Sequence, residues 1–397
     1  MVISQRQATN PEARLGRRVP APEVPDEQPP DIVLPAALRL LGIYAAVRIA
    51  LFVADVLAAH IGFGRNLDGP LTGWDAQHYI QIAAHGYPVV SPTLNGHLTY
   101  SVSGFEPVFP LLIRLVAFVT HSSYVAAALF VSIWAGAIGT LLVWRLATAL
   151  RGESVGFNAA VLFVIFPGMA IPWGMFYSES VGLALVAGCL LLMFYERWIW
   201  AGVVGAIATM TSPLALPLAV AALFPAIRSV LRRQLPGALI TVFLVPTGFL
   251  AFAGWLAVRY HDPLYWYHLQ NQAWGATVDW GKGLILLLPH FWTGGYVGKA
   301  WLEWIGIIVV VGAVIALWRA RLPGFVNTYC ASVFVLLFVS NQLGFKPRLL
   351  TWAFPALIAV TQVLRRRSWQ TLALGFAVLL PIVLIAYTTI ENTMIQP

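Results

Sequence analysis

The chain has 397 residues, of which 59% are hydrophobic and 10% charged, against roughly 25% charged in an ordinary soluble domain. With a mean hydropathy of +0.78, it is neither a soluble globular protein nor disordered over most of its length. The net charge of +8 would suggest nucleic acid in a soluble chain, but here the basic residues stand at the ends of apolar runs, where they act as topology signals.

Residues 1–31 are rich in Pro, Glu and Arg and predict a disordered cytoplasmic tail. No apolar stretch follows the start closely enough to make a cleavable signal peptide. Residues 32–397 then read as one all-α, polytopic transmembrane domain, because long apolar runs recur without the alternating polarity of a membrane barrel. Apolar segments fall at about 33–59, 124–147, 154–173, 177–195, 198–211, 213–228, 237–258, 301–318, 323–340, 349–364 and 369–390, which makes about eleven spans. The two short ones, 198–211 and 213–228, are parted by Thr211-Ser212-Pro213. Residues 105–121 hold two prolines and Arg114 and are read as an interfacial helix.

With the N-terminus inside, the inner segments carry fifteen of the 24 basic residues and the much longer outer segments seven; Arg39 and Arg48 lie within the first span. This is the positive-inside pattern. A crossing at 105–121 would invert it by placing Arg145 and Arg151 outside. All eight histidines fall on the outer side, as do the two long loops, about 60–122 and 259–300. Chemistry is therefore expected at the outer face. The halves show no repeat, which argues against an inverted-repeat transporter. Cys189 and Cys330 lie inside apolar runs and form neither a disulfide framework nor a metal-type cluster. Arginines outnumber lysines 21 to 3, the pattern of a GC-rich bacterial genome.

The densest polar constellation is Gly73-Trp74-Asp75-Ala76-Gln77-His78-Tyr79, continuing to His85-Gly86-Tyr87-Pro88. Asp75 precedes a helix-like run that Gly86 and Pro88 end. Asp75, His78 and His85 share one helix face. Asp75 reads equally as a helix N-cap and as a catalytic base at a low-dielectric boundary, where a carboxyl pKa can rise into the working range. The spacing is not a recognised metal-ligand pattern, so no metal is expected. Arg48 and Asp55, seven apart in the first span, are either a site or a helix-stabilising contact. Arg365-Arg366-Arg367 is a topology anchor. Trp266, Trp274, Trp280 and Trp292 read mainly as interfacial belt residues. There is no Asp-x-Asp pair in the first loop, no P-loop and no dinucleotide fingerprint.

The stretch Trp74-Asp75-Ala76-Gln77-His78-Tyr79, running on to Gly86-Tyr87, resembles the first-loop signature of the GPI mannosyltransferase II family and its bacterial relatives, within the GT-C membrane glycosyltransferases. The likeness continues in order through Phe105-Glu106-Pro107-Val108-Phe109-Pro110-Leu111, Tyr177-Ser178-Glu179-Ser180, Asp262-Pro263-Leu264 with Gln270, Gln272 and Trp274, and Pro347-Arg348. Two positions depart: Gly73 stands where the family has Arg, and Thr211-Ser212-Pro213-Leu214-Ala215 replaces its Thr-Arg-Pro-Asn-Gly. The resemblance implies a GT-C architecture in a bacterial plasma membrane, with outer catalytic loops containing interfacial helices. It implies an inverting transfer of mannose from polyprenyl-phosphate-mannose to a hydroxyl of a lipid-linked or cell-envelope acceptor. Membrane lipids are the other expected partners; no cofactor or nucleic acid is. Asp75 is then the general base. Arg348 and Lys346 hold the donor phosphate, with His78 positioning the phosphate or Asp75. Glu179 is either a carboxylate paired to Arg348, an exposed cap, or an acceptor or second catalytic carboxylate, and Gln270 and Gln272 offer an acceptor groove. A transferase of another polyprenyl-phosphate sugar, a lipid-linked glycan flippase and a non-catalytic accessory subunit are the alternatives.

Overall fold

The computed structural model describes residues 34–62, 71–234, 236–292 and 297–389; the expected tail, 1–31, lies outside them. The described residues form helices, turns and loops apart from one two-stranded hairpin, β1 (Thr93–Leu94) and β2 (His97–Leu98), and one isolated bridge between Val278 and Ser340. The helices in chain order begin with α1 (Leu34–Gly62), α2 (Ala76–His85), α3 (Val108–Thr120), α4 (Tyr124–Arg151), α5 (Glu153–Ile165), α6 (Ala170–Gly174), α7 (Glu179–Phe194), α8 (Trp198–Thr209) and α9 (Pro217–Leu231). There follow α10 (Ala238–Leu244), α11 (Thr247–Tyr260), α12 (Tyr265–Trp274), α13 (Lys282–Leu286), α14 (Val297–Ala320), α15 (Gly324–Val339), α16 (Pro347–Leu350), α17 (Pro355–Val363) and α18 (Arg366–Thr389).

Each of the eleven apolar segments is helical over most of its length, and among the described residues six helices, or seven with one bent pair, are long and apolar enough to cross a membrane. The chain is a multi-pass membrane protein. The segment expected as a straight span over 154–173 is broken: α5 and the stretch Pro167–Gly174 meet at 51°. Proline lacks the N–H that would continue the helix and restricts the residue before it, and Phe166 leaves helical geometry there, at φ −59° and ψ 129°. Segment 213–231 reaches 19 residues, about 28 Å at 1.5 Å per residue. The 12 residues of α8 reach only about 18 Å.

The interfacial expectation for 105–121 corresponds to α3, whose 13 residues give about 20 Å against a hydrocarbon core of about 30 Å. It buries Phe109, Ile113 and Ala117 and leaves Leu111, Leu115 and Phe118 exposed on another face. Arg114 serves structure: its Nε and Nη2 donate to the carbonyls of Ala83 and Ala84 at 2.6 and 3.2 Å. Those carbonyls lie in the last turn of α2, where intrahelical donors run out.

α4 is the central strut, packed along α5 and α7. At its far end Arg151 donates to the carbonyls of Ala320 and Arg321 and to Gln362, tying α4 to the ends of α14 and α17. Inside the bundle a polar ladder joins four helices, α1, α4, α6 and α7. Arg48 donates to Ser132 Oγ at 3.3 Å, Ser132 and Ser180 share a hydrogen bond of 3.2 Å, and Ser180 donates to the Pro172 carbonyl at 2.8 Å. Asp55 is 1% exposed, and neither of its oxygens has a hydrogen-bond partner.

The segment that begins at Pro347 is seated by two glycines. At Gly168 a Cβ would collide with the Pro347 carbonyl, and at Gly182, on α7, it would lie 2.5 Å from Trp352 Cη2. Tyr329 donates to the Trp352 carbonyl at 2.9 Å from the other side. Backbone and ring are therefore wedged between α7 and α15, which fixes the residues just before them.

Candidate active site

Asp75 occupies the N-cap position of α2, but its side chain accepts no hydrogen bond from that helix. The capping role is thereby removed from its carboxylate, which turns instead to Arg348: Oδ2 stands 3.1 Å from Nη1. The Arg348 Nε faces Glu179 Oε1 at 3.5 Å. One guanidinium thus joins two carboxylates from segments far apart in the chain. Side-chain exposure falls from 33% at Asp75 to 14% at Arg348 and 6% at Glu179, so the cluster opens outward through Asp75. Trp74, just before it, has φ 53°, a left-handed conformation uncommon for a bulky residue, and this turns the chain into α2.

Tyr177 and Tyr79 complete the setting. The Asp75 N–H donates to the Tyr177 hydroxyl at 3.1 Å, and the Arg348 guanidinium lies 5.0 Å from the centroid of the Tyr177 ring, a cation–π distance. The Tyr79 and Ser178 hydroxyls share a hydrogen bond of 3.0 Å. Tyr177, just before α7, therefore holds Asp75 by its backbone, and Glu179 in the first turn of α7 holds Arg348 by its charge. Glu179 itself is buried and ion-paired, not an exposed cap. Its place in the first turn of α7 also sets its charge against the positive end of the helix dipole.

His78 stacks on Phe105 at 5.3 Å and meets Tyr100 at 5.0 Å, with Nδ1 buried and without a partner. Burial lowers its pKa, opposed by the nearby Asp75 charge, so near neutral pH the ring is uncharged. His85 is exposed at the end of α2. Lys346 is the N-cap residue of α16, two residues before Arg348 and half-buried. Among the described residues no group of three or more His, Cys, Asp or Glu side chains is placed to hold a metal ion.

The two long loops lock together. The Leu98 N–H donates to Gln272 Oε1 at 2.7 Å, Gln270 Nε2 to the Gly104 carbonyl at 3.4 Å, and Ser91 and Tyr265 share a bond of 2.6 Å. Arg259 and Tyr260 both donate to the Pro88 carbonyl. Trp274 packs on Tyr100 at 4.7 Å and Phe105 at 6.1 Å, and Gly104 lies so close that a Cβ there would collide with the Trp274 ring. The amides of Gln270 and Gln272 are thus occupied in joining loop to loop. Trp280 and Trp292 stay 70% and 79% exposed, as belt residues would.

A third carboxyl, Glu106, lies behind the cluster. It is 8% exposed, Oε1 has no hydrogen-bond partner, and burial pushes its pKa up to about 8, helped by the charge of Glu179. The sequence reading placed it inside a motif and assigned it no role; a lone carboxyl between Phe105 and Pro107 in an apolar stretch was the available signal. Such a group stays protonated to about 8 in the fold but ionises near its ordinary 4.5 when unfolded. The unfolded chain then binds fewer protons across that window, so the fold loses stability as pH rises from about 4.5 to about 8, and no further above it. Glu106→Gln should therefore gain on wild type over this range, by a few kcal/mol at the upper end. Thermal unfolding of both proteins at about pH 5 and about pH 8.5 reads this; an equal difference at both pH values would exclude it.

By sequence, no family model matches the chain and no curated protein matches it. By structure, it is similar to ArnT from Cupriavidus metallidurans bound to undecaprenyl phosphate, at 16% identity and TM-score 0.55, over 86% of this chain and 63% of that one. The apo state of the same protein gives 16% and 0.55, over 90% and 66%. The Archaeoglobus fulgidus oligosaccharyltransferase in its apo form gives 13% and 0.53, over 89% and 56%.

The fold is GT-C. The chain spans less than two-thirds of the length of each of these proteins. The likeness reaches the GT-C fold and not the GPI mannosyltransferase II branch within it. In this GT-C domain Asp75, Arg348 and Glu179 gather at one end of the bundle, the end formed by the two long loops, while Arg151 and Gln362 mark the opposite end.

Proposed function

We propose that the chain is an integral membrane glycosyltransferase that moves mannose from polyprenyl-phosphate-mannose to a hydroxyl of a lipid-linked or cell-envelope acceptor. The acceptor oxygen attacks the anomeric carbon while the bond from that carbon to the phosphate oxygen breaks, and the electron pair leaves with the polyprenyl phosphate. Attack from the face opposite the leaving group inverts the configuration. The hydroxyl proton passes to the Asp75 carboxylate. Arg348, with Lys346 beside it, meets the charge growing on the leaving phosphate, and His78 orients the base or the phosphate. Glu179 holds Arg348 from behind, and Gln270 and Gln272 keep the outer loops closed over the acceptor side. The domain sits in a bacterial plasma membrane with the N-terminus cytoplasmic and this site outside.

The observation that carries the reading is a partly exposed carboxylate, free of its own helix, 3.1 Å from a deeply set arginine. A second observation supports a lipid carrier. An apolar cavity of ≈ 750 Å³ lies between α5, α14, α17 and α18, lined by Phe163, Val310, Ala313, Phe354 and Phe376, and it includes Thr351 at one end and Arg319 near the other. Thr351 donates through its hydroxyl to the Arg348 carbonyl, so one wall of this groove adjoins the segment that carries Arg348. ArnT in its lipid-bound structure carries undecaprenyl phosphate.

The choice of mannose rests on the five sequence blocks; a transferase of another polyprenyl-phosphate sugar is the second reading, favoured by the departures from those blocks at Gly73 and Thr211-Ser212-Pro213-Leu214-Ala215. A flippase finds less support, since one bent apolar helix pair stands among the described residues and the halves show no repeat. The test is transfer from radiolabelled polyprenyl-phosphate-mannose by the purified chain in lipid nanodiscs. An unlabelled polyprenyl-phosphate pentose that competes as an efficient donor would move the assignment to the second reading. Movement of lipid-linked glycan without bond formation would overturn both.

A further inference from the structure

A second cavity, of ≈ 680 Å³, lies between the second outer loop and residues 337–344. That volume is within the range of small-molecule sites. Its frame is built from backbone. The Asp279 N–H donates to the Val339 carbonyl at 2.9 Å, and the Asn341 N–H to the Thr277 carbonyl at 3.2 Å. Asn341 also accepts from the Thr277 N–H at 2.8 Å and donates to the Gly275 carbonyl at 3.0 Å. The loop is thereby stitched to the end of α15. Asp279 accepts from the N–H groups of Gly281 and Gly283 at 3.0 and 2.7 Å.

Glu303, on α14 and 3% exposed, lines the cavity and accepts from the Phe345 N–H at 2.5 Å. Only a glycine at 344, with φ +65°, leaves room for that carboxylate, since a Cβ there would strike it. Phe345 leads directly into Lys346, Pro347 and Arg348, so this cavity and the site share one continuous stretch of chain. The cavity also adjoins Gly275, the C-cap of α12, whose Trp274 packs on Phe105 and so reaches the ring of His78.

The charges around the space select the ligand. Asp279 and Glu303 present carboxylates, Lys282 and His290 present donors, and Gln342 presents an amide. A phosphate would meet two carboxylates and an ammonium ligand would meet Lys282. A hydroxyl both donates and accepts, so a ring of hydroxyls matches such a mixed lining.

We infer that this cavity binds a neutral polyhydroxylated headgroup, a glycoside, and that it seats the acceptor whose hydroxyl is glycosylated. The acceptor role rests on the transferase reading; the glycoside site does not. Cys189 and Cys330 are both buried, so a thiol introduced at Gln342→Cys is the reactive one in the full chain. In nanodiscs, octyl glucoside below its micellar concentration should slow maleimide labelling of Gln342→Cys roughly tenfold when it reaches about nine times its Kd. Octyl phosphate and octanol should not. Leu94→Cys, 66% exposed on the hairpin, should label at one rate throughout.

His290→Cys provides an independent thiol on the same cavity should Gln342→Cys fail to fold. No slowing by octyl glucoside at either position in folded protein overturns the inference, as does equal slowing by octyl phosphate or octanol. Sugar transfer is measured on the unsubstituted chain in the same nanodiscs. Transfer without glucoside protection removes the cavity proposal alone. Protection without any transfer removes the transferase reading and leaves a glycoside site.

Discussion

Asp75→Asn should lower turnover of the polyprenyl-phosphate sugar by about 10²–10⁴-fold, the range for loss of a general base. The amide keeps the shape of the side chain but cannot take the hydroxyl proton. The fold should survive, because the Asp75 side chain is 33% exposed and a partly exposed pair with arginine is worth at most about 1 kcal/mol. Donor affinity should hold or improve, since Arg348 loses a competitor for the incoming phosphate. The signature is therefore a collapse in kcat without a rise in donor KM, read with labelled donor in nanodiscs. A folded Asp75→Asn protein with wild-type turnover would sink the assignment of Asp75 as base. A rise in donor KM with kcat intact would make Asp75 a binding group instead.

Arg348→Met should fail in two separable ways. Glu179 is 5% exposed, and removing its cation leaves a buried charge uncompensated, at about 3–5 kcal/mol. Turnover should fall with it, because the leaving phosphate loses its nearest fixed cation. Adding Glu179→Gln removes the stranded charge, so Arg348→Met/Glu179→Gln should recover most of the thermal stability and none of the turnover. Arg348→Lys should restore charge but not activity, because one ammonium cannot copy a fork that sends Nη1 to Asp75 and Nε toward Glu179. Unfolding temperature and initial rate on the four proteins decide this. An active Arg348→Met protein, or a double variant no more stable than the single one, would remove Arg348 from its place at the centre of the cluster.

Much of this architecture is legible in the sequence. The apolar segments announced the helices because the bilayer forces backbone groups to pair within each span. Asp75 stands out in the polar constellation Gly73 to Pro88, and the resemblance to a known family singles out Arg348. That Asp75 does not cap its helix is not legible: the N-cap position and the proposed base are the same residue, and only the path of the side chain separates them. The break at Phe166 was hidden by the apolar run on either side of Pro167. Glu303 is not legible as a cavity-lining residue because it sits within Trp301-Leu302-Glu303-Trp304, a stretch that reads as membrane helix. The resemblance points to Gln270 and Gln272 as groove residues, and an amide in a polar loop offers both a donor and an acceptor. The same property suits them to bridging two loops, which is how the structure uses them.

The bond from Arg348 to Asp75 spans 273 residues of chain, and its effect reaches back to how the protein is made. A chain leaving the ribosome exposes the whole first loop long before Pro347 has been synthesised. Until α16 is in place, Glu179 lacks the Arg348 cation and Asp75 has only the Tyr177 hydroxyl on its backbone. Loop-closure entropy makes so distant a contact late to form. A nascent or truncated chain should therefore reach the bilayer with most of its helices and no competent centre. Catalytic competence would then appear only near the end of biosynthesis, after the architecture around it is complete.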